Sequence, residues 1–414
     1  MTATGRPTQQ SAAGGALARA FQLRSPPDDF IDDPYPYYAL LRTHDPVHEM
    51  EGGALFLTRY DDVVSVYRHS AASSDKKQEF APKFGDTPLY EHHTSSLVFN
   101  DPPLHTRVRR LIMGALNQRA ITRMEQTVVD LVARLLDELE DAAAPDLIDD
   151  FAALIPVEVI GNLLEIPHAD RGPLRGWSLA ILSALEPIPA SEVLQRGNQA
   201  VSEFLEYLRI LVAERRAHPK DFESDVLTRL TQGEIGGERL SEPELLHNCI
   251  FLLNAGHETT TNLIGNGMHA LLTHRDQLQR LQSDPGLIAT AIEELLRFES
   301  PLQLNNRVST APIEIGGRAI PTGTFLTLGV GAANRDPAQF PDPDRLNLAR
   351  RPNRHVAFGQ GDHACAGMNV ARLEARVAVS AIVERFPRIE LAAGVERDRR
   401  IRFRGFKHVS VHLT

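Results

Sequence analysis

One cysteine of this sequence stands in a setting that suits metal ligation. Cys365 lies in FGQGDHACAGMNVAR, residues 358–372, where glycines cluster just ahead of an expected helix. Glycines allow tight turns and a close approach to a flat cofactor. The partial positive charge of a helix N-terminus lowers a nearby thiol pKa and favours the thiolate, the form that ligates iron. The segment predicts a thiolate ligand, or else a buried free cysteine; a zinc site lacks a second ligand pair.

A carboxylate and a hydroxyl stand together in AGHETT, residues 255–260, in the middle of the longest expected helix. They are Glu258 and Thr259. The small residues beside them, Ala255 and Gly256, leave room for a ligand, and a threonine hydroxyl can bond back to the carbonyl four residues earlier. The zinc motif HExxH fails because its second histidine is missing. The pair could transfer protons, or it could be a polar kink without a catalytic role.

Two further pairs each share one face of a helix. Glu294 and Arg297 lie three residues apart, and His105 and Arg109, in DPPLHTRVRR, lie four apart. Taken alone, the first pair could be a surface ion pair. The second could belong to an amphipathic surface helix, so neither pair identifies a site by itself.

Together these motifs resemble those of the cytochrome P450 family, from about Asp32 to the C-terminus. Phe358, Gly361, Cys365 and Gly367 meet the pattern Phe-x-x-Gly-x-x-x-Cys-x-Gly of its haem-ligand loop. The resemblance implies that Cys365 is the axial ligand of a haem b iron.

The resemblance also implies roles for the other motifs. Glu258 and Thr259 match the acid–alcohol pair that delivers protons during dioxygen activation. Glu294 and Arg297 would be joined by Arg350 in a buried structural network. The other expected haem contacts, some of them with the propionates, are Val98, His105, Arg109, Ala255, Arg307, Phe358, Gly359, His363 and Gly367.

The substrate pocket is the least specified part of the sequence. Residues 70–99 are expected to form a variable loop over it, and motif position adds residues from later segments. Their mixture predicts a small, mostly apolar organic substrate with some polar contact. The candidate lining residues are Phe80, Phe84, Leu97, Leu252, Leu302, Gln303 and Leu304.

Bulk properties limit the class of protein. The 414 residues carry a formal net charge of −10, whereas nucleic-acid-binding proteins are usually basic. Two cysteines, Cys249 and Cys365, are too few for a disulfide framework and favour a reducing compartment. Residues 1–29 are expected to be a flexible leader before a single domain, 30–414. We expect a cytoplasmic protein without membrane partners. Cys249 is expected to pack in the hydrophobic core.

Periodicity predicts mostly helices with short, scattered strands. SEPE at 241–244 is a capping box, so the longest helix should run from Ser241 to about Leu272, roughly 30 residues or 45 Å. Further helices are expected at 287–298 and 367–385, a strand within 54–60 and a hairpin in PIEIGGRAI. The resemblance implies the triangular, mostly α P450 fold with this long helix over the haem.

The implied function is a monooxygenase that oxidises its substrate by hydroxylation or O-dealkylation. Electrons would come from NAD(P)H through a ferredoxin and its reductase, since no flavin or iron–sulfur segment follows the haem domain. Six arginines against two acids between Arg345 and Arg376 could form a basic docking surface. Two other readings stay open: a haem-thiolate peroxygenase or isomerase, and a non-catalytic haem-binding protein.

Overall fold

The fold is built mainly from helices. The computed structural model describes residues 6–116, 118–222, 225–234 and 239–413. The helices are α1 (Arg6–Ala20), α2 (Tyr35–His44), α3 (Tyr60–Arg68), α4 (Lys77–Phe84), α5 (Pro88–Ser95), α6 (Leu104–Ala115), α7 (Gln118–Asp141), α8 (Leu154–Leu163), α9 (Leu174–Ser183), α10 (Ser191–Ala217), α11 (Val226–Gln232), α12 (Glu242–Thr273), α13 (Arg275–Ser283), α14 (Ile288–Phe298), α15 (Val330–Ala333) and α16 (Met368–Arg385).

The strands form one five-stranded sheet and three two-stranded pairs. They are β1 (Val47–Glu49), β2 (Leu55–Leu57), β3 (Ala72–Ser73), β4 (Leu304–Ser309), β5 (Ile313–Ile315), β6 (Arg318–Ile320), β7 (Phe325–Gly329), β8 (Glu390–Leu391), β9 (Glu396–Arg397), β10 (Phe406–His408) and β11 (Val411–His412). The larger sheet has the order β1-β2-β7-β4-β3, in which only β2 and β7 are parallel. The expected hairpin is confirmed: β5 pairs with β6 through Gly316 and Gly317, both at positive φ.

The long central helix α12 begins where the sequence predicts. The Ser241 hydroxyl accepts a hydrogen bond from the Glu244 N–H at 3.4 Å, and the Glu244 carboxylate accepts from the Ser241 N–H at 2.8 Å. The helix has 32 residues and is about 48 Å long at 1.5 Å per residue. Its first half packs in an apolar cluster with residues of α6, α8, α9 and α10. Its second half packs in another cluster with residues of α7, α14 and α16. It therefore connects the two largest apolar clusters.

The N-terminal boundary differs from the expectation. Ala18, Phe21 and Leu23 are buried in an apolar cluster that also contains Phe30 and Tyr38. Because these side chains remove apolar surface from water, the packed domain starts well before residue 30, within the segment expected to be a leader.

Residues 70–99 are not simply a loop. They contain the two short helices α4 and α5. Within the described residues, none of the helices has the length and apolarity needed to cross a membrane.

Candidate active site

The cysteine loop ends at the start of α16. The Cys365 N–H donates to the Phe358 carbonyl at 2.8 Å, which closes the loop into a compact turn. Gly361 has φ of +71°, and a Cβ there would lie 2.4 Å from the Tyr67 carbonyl oxygen, so only glycine fits. Gly359 is also at positive φ, +65°. The glycines therefore set the path of the backbone that carries Cys365.

The thiol pKa departs from the expectation. Burial raises the pKa of Cys365, although the backbone N–H of Gly367 and the charges of Arg109 and Arg372 act in the opposite direction. The helix N-terminus alone is thus too weak to create a thiolate here, because desolvation of the charged form costs more. A coordinated metal ion would deprotonate the thiol outright.

Four basic side chains from three segments converge near this loop. The rings of His105 and His363 lie 3.9 Å apart between centroids, and the Asp101 carboxylate lies 3.9 Å from His363 Nε2. Burial, then the positive charge of Arg307, lowers the pKa of His363 to about 3, with a smaller contribution from Arg109. His105 Nε2 is buried and has no hydrogen-bond partner among the described residues. This cationic cluster, whose positive charge comes from Arg109 and Arg307, is suited to bind carboxylates.

The second part of the candidate site is one face of α12. Ala255 is exposed although Leu252 and Glu258 on either side of it are buried, so this face opens onto an internal space. The Thr259 hydroxyl donates to the Ala255 carbonyl at 2.9 Å, the back-bond that the sequence predicts. Gly256 does not make room for a ligand as expected: a Cβ there would lie 2.4 Å from Ile160, so glycine is needed for packing against α8.

Glu258 faces away from Thr259, as neighbouring positions 100° apart on a helix must. Its buried carboxylate makes an ion pair with Arg400, which also pairs with Asp398. Burial raises the pKa of Glu258, and the charge of Arg400 opposes that shift. The carboxylate borders a polar cavity of about 320 Å³. The other charged or imidazole residues that line it are Asp149, Arg175, His257, Lys407 and His408.

The Glu-x-x-Arg pair forms a buried network with Arg350. Glu294 accepts hydrogen bonds from Arg297 Nε and Nη2, both at 2.8 Å, and from Arg350 Nε at 3.0 and 3.1 Å. The backbone N–H of Asn347 and the side-chain amide of Asn353 complete the set. The structure thus joins the three residues that the sequence placed together, and it fixes α14 to the segment before the cysteine loop.

The substrate-pocket candidates separate into two groups. Gln303 is buried with its amide donating to the Ser300 carbonyl at 2.8 Å, and Leu304 packs with Phe56 in the N-terminal cluster. Neither contact involves the other candidates, and the pocket-lining role of Gln303 and Leu304 stays a prediction. The candidates that do share one apolar cluster, or pack against it, are Phe80, Phe84, Leu97, Leu252 and Leu302.

Arg400 is a functional candidate that sequence reasoning missed. It belongs to RDRRIRFR, residues 397–404, an unusual concentration of arginine that could have drawn notice. No spacing rule links this segment to Glu258, however, because their contact exists only in the folded chain.

The residues present fit a haem. A Cβ at Gly367 would meet no protein atom within 4 Å, so packing within the protein does not explain this glycine. A flat macrocycle between Cys365 and the Ala255 face of α12 would account for it. Its two propionates would neutralise the cationic cluster around His105 and Arg307. Val98, in the turn Leu97–Phe99, and Phe358 are half-buried.

Comparison with known proteins supports the same assignment. The cytochrome P450 family profile matches residues 179–285 and 286–402. The chain is 36% identical to 6-deoxyerythronolide B hydroxylase of Saccharopolyspora erythraea over 402 residues, 93% of this chain and 97% of that protein. It is 37% identical to vitamin D(3) 25-hydroxylase of Pseudonocardia autotrophica over 371 residues, 89% and 90% of the two chains.

The fold has solved counterparts. The crystal structure of P450BioI in complex with an acyl carrier protein ligated to hexadec-9Z-enoic acid superposes with a TM-score of 0.88 at 32% identity, covering 94% of this chain and all of that one. Sequence motifs, fold and relatives agree, and the chain belongs to the cytochrome P450 family of monooxygenases.

Proposed function

We propose that this protein binds haem b through Cys365 and uses dioxygen to hydroxylate or O-dealkylate a small, mostly apolar organic molecule. The observation that carries the proposal is the Cys365 loop itself, with Arg109 and Arg307 beside it and with no protein atom within 4 Å of a Cβ at Gly367. A thiolate-ligated haem supplies dioxygen activation when bound, because electron donation from sulfur favours O–O cleavage. Two hydroxylases among the relatives support the same reaction class.

The side chains around the site have separable tasks in this proposal. The Thr259 hydroxyl both donates and accepts hydrogen bonds, so it can orient and pass on a proton at the open face of α12. Glu258, whose pKa burial raises, can gain and lose a proton beside the polar cavity. Phe80, Phe84 and Leu97 exclude water and pack against the substrate.

The axial ligand is tested by replacing each cysteine. Cys365→Ser should abolish the red-shifted absorption band of the reduced carbon monoxide complex that marks thiolate ligation. Cys249→Ala, which changes a buried cysteine on α12, should keep the band and serves as the control. Retention of the band in Cys365→Ser would refute the assignment. Product formation that needs dioxygen and NAD(P)H would then separate a monooxygenase from a peroxygenase, an isomerase or a haem carrier.

Separate electron-transfer proteins, a ferredoxin and its reductase, are part of the proposal. Of the arginines near the cysteine loop, Arg350 binds Glu294, while Arg372 and Arg376 form ion pairs with Glu293 and Glu125. Those left exposed, with no ion pair in the described part of the chain, are Arg345, Arg351 and Arg354. They would steer an acidic partner toward the Cys365 side of the molecule.

Salt dependence tests this docking surface. The double variant Arg351→Gln/Arg354→Gln should slow reduction by ferredoxin several-fold at low salt, because rim charges act mainly on the encounter rate. The difference should shrink as ionic strength rises. Arg318→Gln, at an exposed position on β6, is the matched control. Equal rates for the native protein and the double variant at low salt would place the docking surface elsewhere.

A further inference from the structure

A second group of cations lies beside the apolar cluster that holds the pocket candidates. We name it the α4 cation group: Lys76, which precedes α4, Lys83 in its last turn, and Arg402 near the C-terminus. Lys76, Glu79 and Lys83 are spaced by three and four residues, so they share one face of α4.

Lys83 and Arg402 both donate hydrogen bonds to backbone carbonyls of the turn after α9. Lys83 Nζ donates to the Glu186 carbonyl at 2.7 Å, and Arg402 Nε donates to the Leu185 carbonyl at 3.2 Å. The Glu186 carboxylate accepts from the backbone N–H groups of Ile401 at 2.9 Å and Arg402 at 3.2 Å. The turn after α9 therefore joins α4 to the C-terminal segment.

The positive charge at this point is incompletely balanced. Lys76, with a side chain only 4% exposed, pairs with Glu79 at 2.9 Å. Lys83 and Arg402 form no direct ion pair in the described residues, but the carboxylates of Glu79 and Glu186 lie close enough to act on Lys83, so three cations face two carboxylates. Burial, then the nearby charge of Arg402, lowers the pKa of Lys83 to about 8. Two half-buried cations side by side are unfavourable until an anion joins them.

Apolar surface adjoins these cations. Phe80 and Phe84 are buried on α4, and Lys83 Nζ lies 5.2 Å from the centroid of the Phe84 ring. Phe403, next to Arg402, pairs with Leu302 in a β-bridge and belongs to the same apolar cluster. A ligand reaching this point would meet an apolar surface that ends in two cations.

We propose that the substrate is an organic carboxylate, whose apolar body packs against the Phe80–Phe84 surface and whose carboxylate is bound by Lys83 and Arg402. This inference rests on the proposed function and adds the chemical class of the substrate. A guanidinium binds a carboxylate through two parallel hydrogen bonds, and an ammonium adds a third charge-assisted donor. A neutral molecule of the same shape would leave the third positive charge of the α4 cation group without a carboxylate.

Matched acids and amides test the proposal on the haem-loaded protein. The probes are dodecanoic acid with dodecanamide, and 1-naphthylacetic acid with 1-naphthylacetamide, titrated by the shift of the haem absorption. At least one acid should bind about tenfold or more tightly than its amide, as expected for a charge-assisted contact. Equal or weaker binding of the acid in both pairs, or no binding of either acid, would overturn it.

Variants locate the preference. Arg402→Gln and, separately, Lys83→Met should reduce the affinity for the acid to that for the amide while leaving amide affinity unchanged. Arg399→Gln, at an exposed arginine paired with Asp32, should keep the preference. Acid preference that survives in both Arg402→Gln and Lys83→Met would refute the proposed carboxylate site. The reduced carbon monoxide band reports the proposed function independently, because its loss in the native protein would refute haem-thiolate chemistry whatever the acid preference.

Discussion

Two buried carboxylates of this protein, Glu294 on α14 and Glu258 on α12, both meet arginine but in different surroundings. Glu294 has no exposed surface, and its oxygens accept from two guanidinium groups as well as neighbouring amides. Glu258 has one guanidinium, that of Arg400, which it shares with Asp398. It also borders a polar cavity, whereas Glu294 is enclosed by protein donors.

The difference separates a structural charge from an exchangeable one. Each oxygen of Glu294 accepts several hydrogen bonds, and breaking them would leave buried charges without partners. The ion pairs therefore hold α14 and the segment around Arg350 together. Burial raises the pKa of Glu258 and only one shared cation opposes it, so its proton can be gained and lost more readily. Pairing with arginine does not by itself tell which role a carboxylate has; the number of donors and the access of water do.

The largest expected effect comes from neutralising the structural carboxylate. Glu294→Gln leaves Arg297 and Arg350 buried without a counterion and should lower the free energy of unfolding by about 3–5 kcal/mol. Urea denaturation measures the change. Glu138→Gln, an exposed carboxylate paired with Arg134 on α7, should cost only about 0.3–0.5 kcal/mol. Similar losses in the two variants would contradict the structural role.

A smaller and pH-dependent effect is expected at the exchangeable carboxylate. Arg400→Gln removes the cation that opposes the raised pKa of Glu258, so that pKa should rise further. The loss in unfolding free energy should be at most about 3 kcal/mol, because Glu258 can take up a proton and avoid an unpaired buried charge.

The sign of the pH dependence follows from the pKa shift. Below a pH of about 4.3, the pKa of a glutamate in the unfolded chain, Glu258 is protonated in both the folded and the unfolded state. Arg400→Gln then changes the free energy of unfolding little through this carboxyl. The loss of unfolding free energy in Arg400→Gln grows as the pH rises from the folded-state pKa of Glu258 in the native protein toward the higher one in the variant. It should therefore be larger at pH 8 than at pH 5. Arg399→Gln is the exposed control. A deficit independent of pH would show that contacts other than Glu258 account for it.

The smallest effect on stability, with a distinct effect on chemistry, is expected at the open face of α12. Thr259→Ala removes one local back-bond and should change the unfolding free energy by less than about 1 kcal/mol. Product formed per NAD(P)H consumed should fall, with more hydrogen peroxide released. Thr273→Ala removes the same type of back-bond, to the His269 carbonyl, at the far end of α12 and should leave coupling unchanged. Equal coupling in both variants would remove Thr259 from proton delivery.

Much of the fold follows from local patterns. The capping box at Ser241 and the glycine pair of the hairpin act within a few residues, so their effects are visible in sequence. The burial of Phe21 and Leu23 could not be predicted, because it depends on distant partners such as Phe56. The contacts of Gln303 with the Ser300 carbonyl and of Leu304 with Phe56 likewise depend on the fold and not on motif position.

The sequence by itself determined the cysteine loop, the Glu-x-x-Arg pair and the acid–alcohol pair, since each depends on spacing within one segment. Only the tertiary structure decided what surrounds those groups. It joined Arg400 to Glu258 and left Lys83 beside Arg402 without a direct ion pair among the described residues. Desolvation also raises the pKa of the Cys365 thiol, whereas the backbone N–H of Gly367 at the helix N-terminus lowers it. Burial and long-range charge depend on groups far apart in the chain, which no local pattern records.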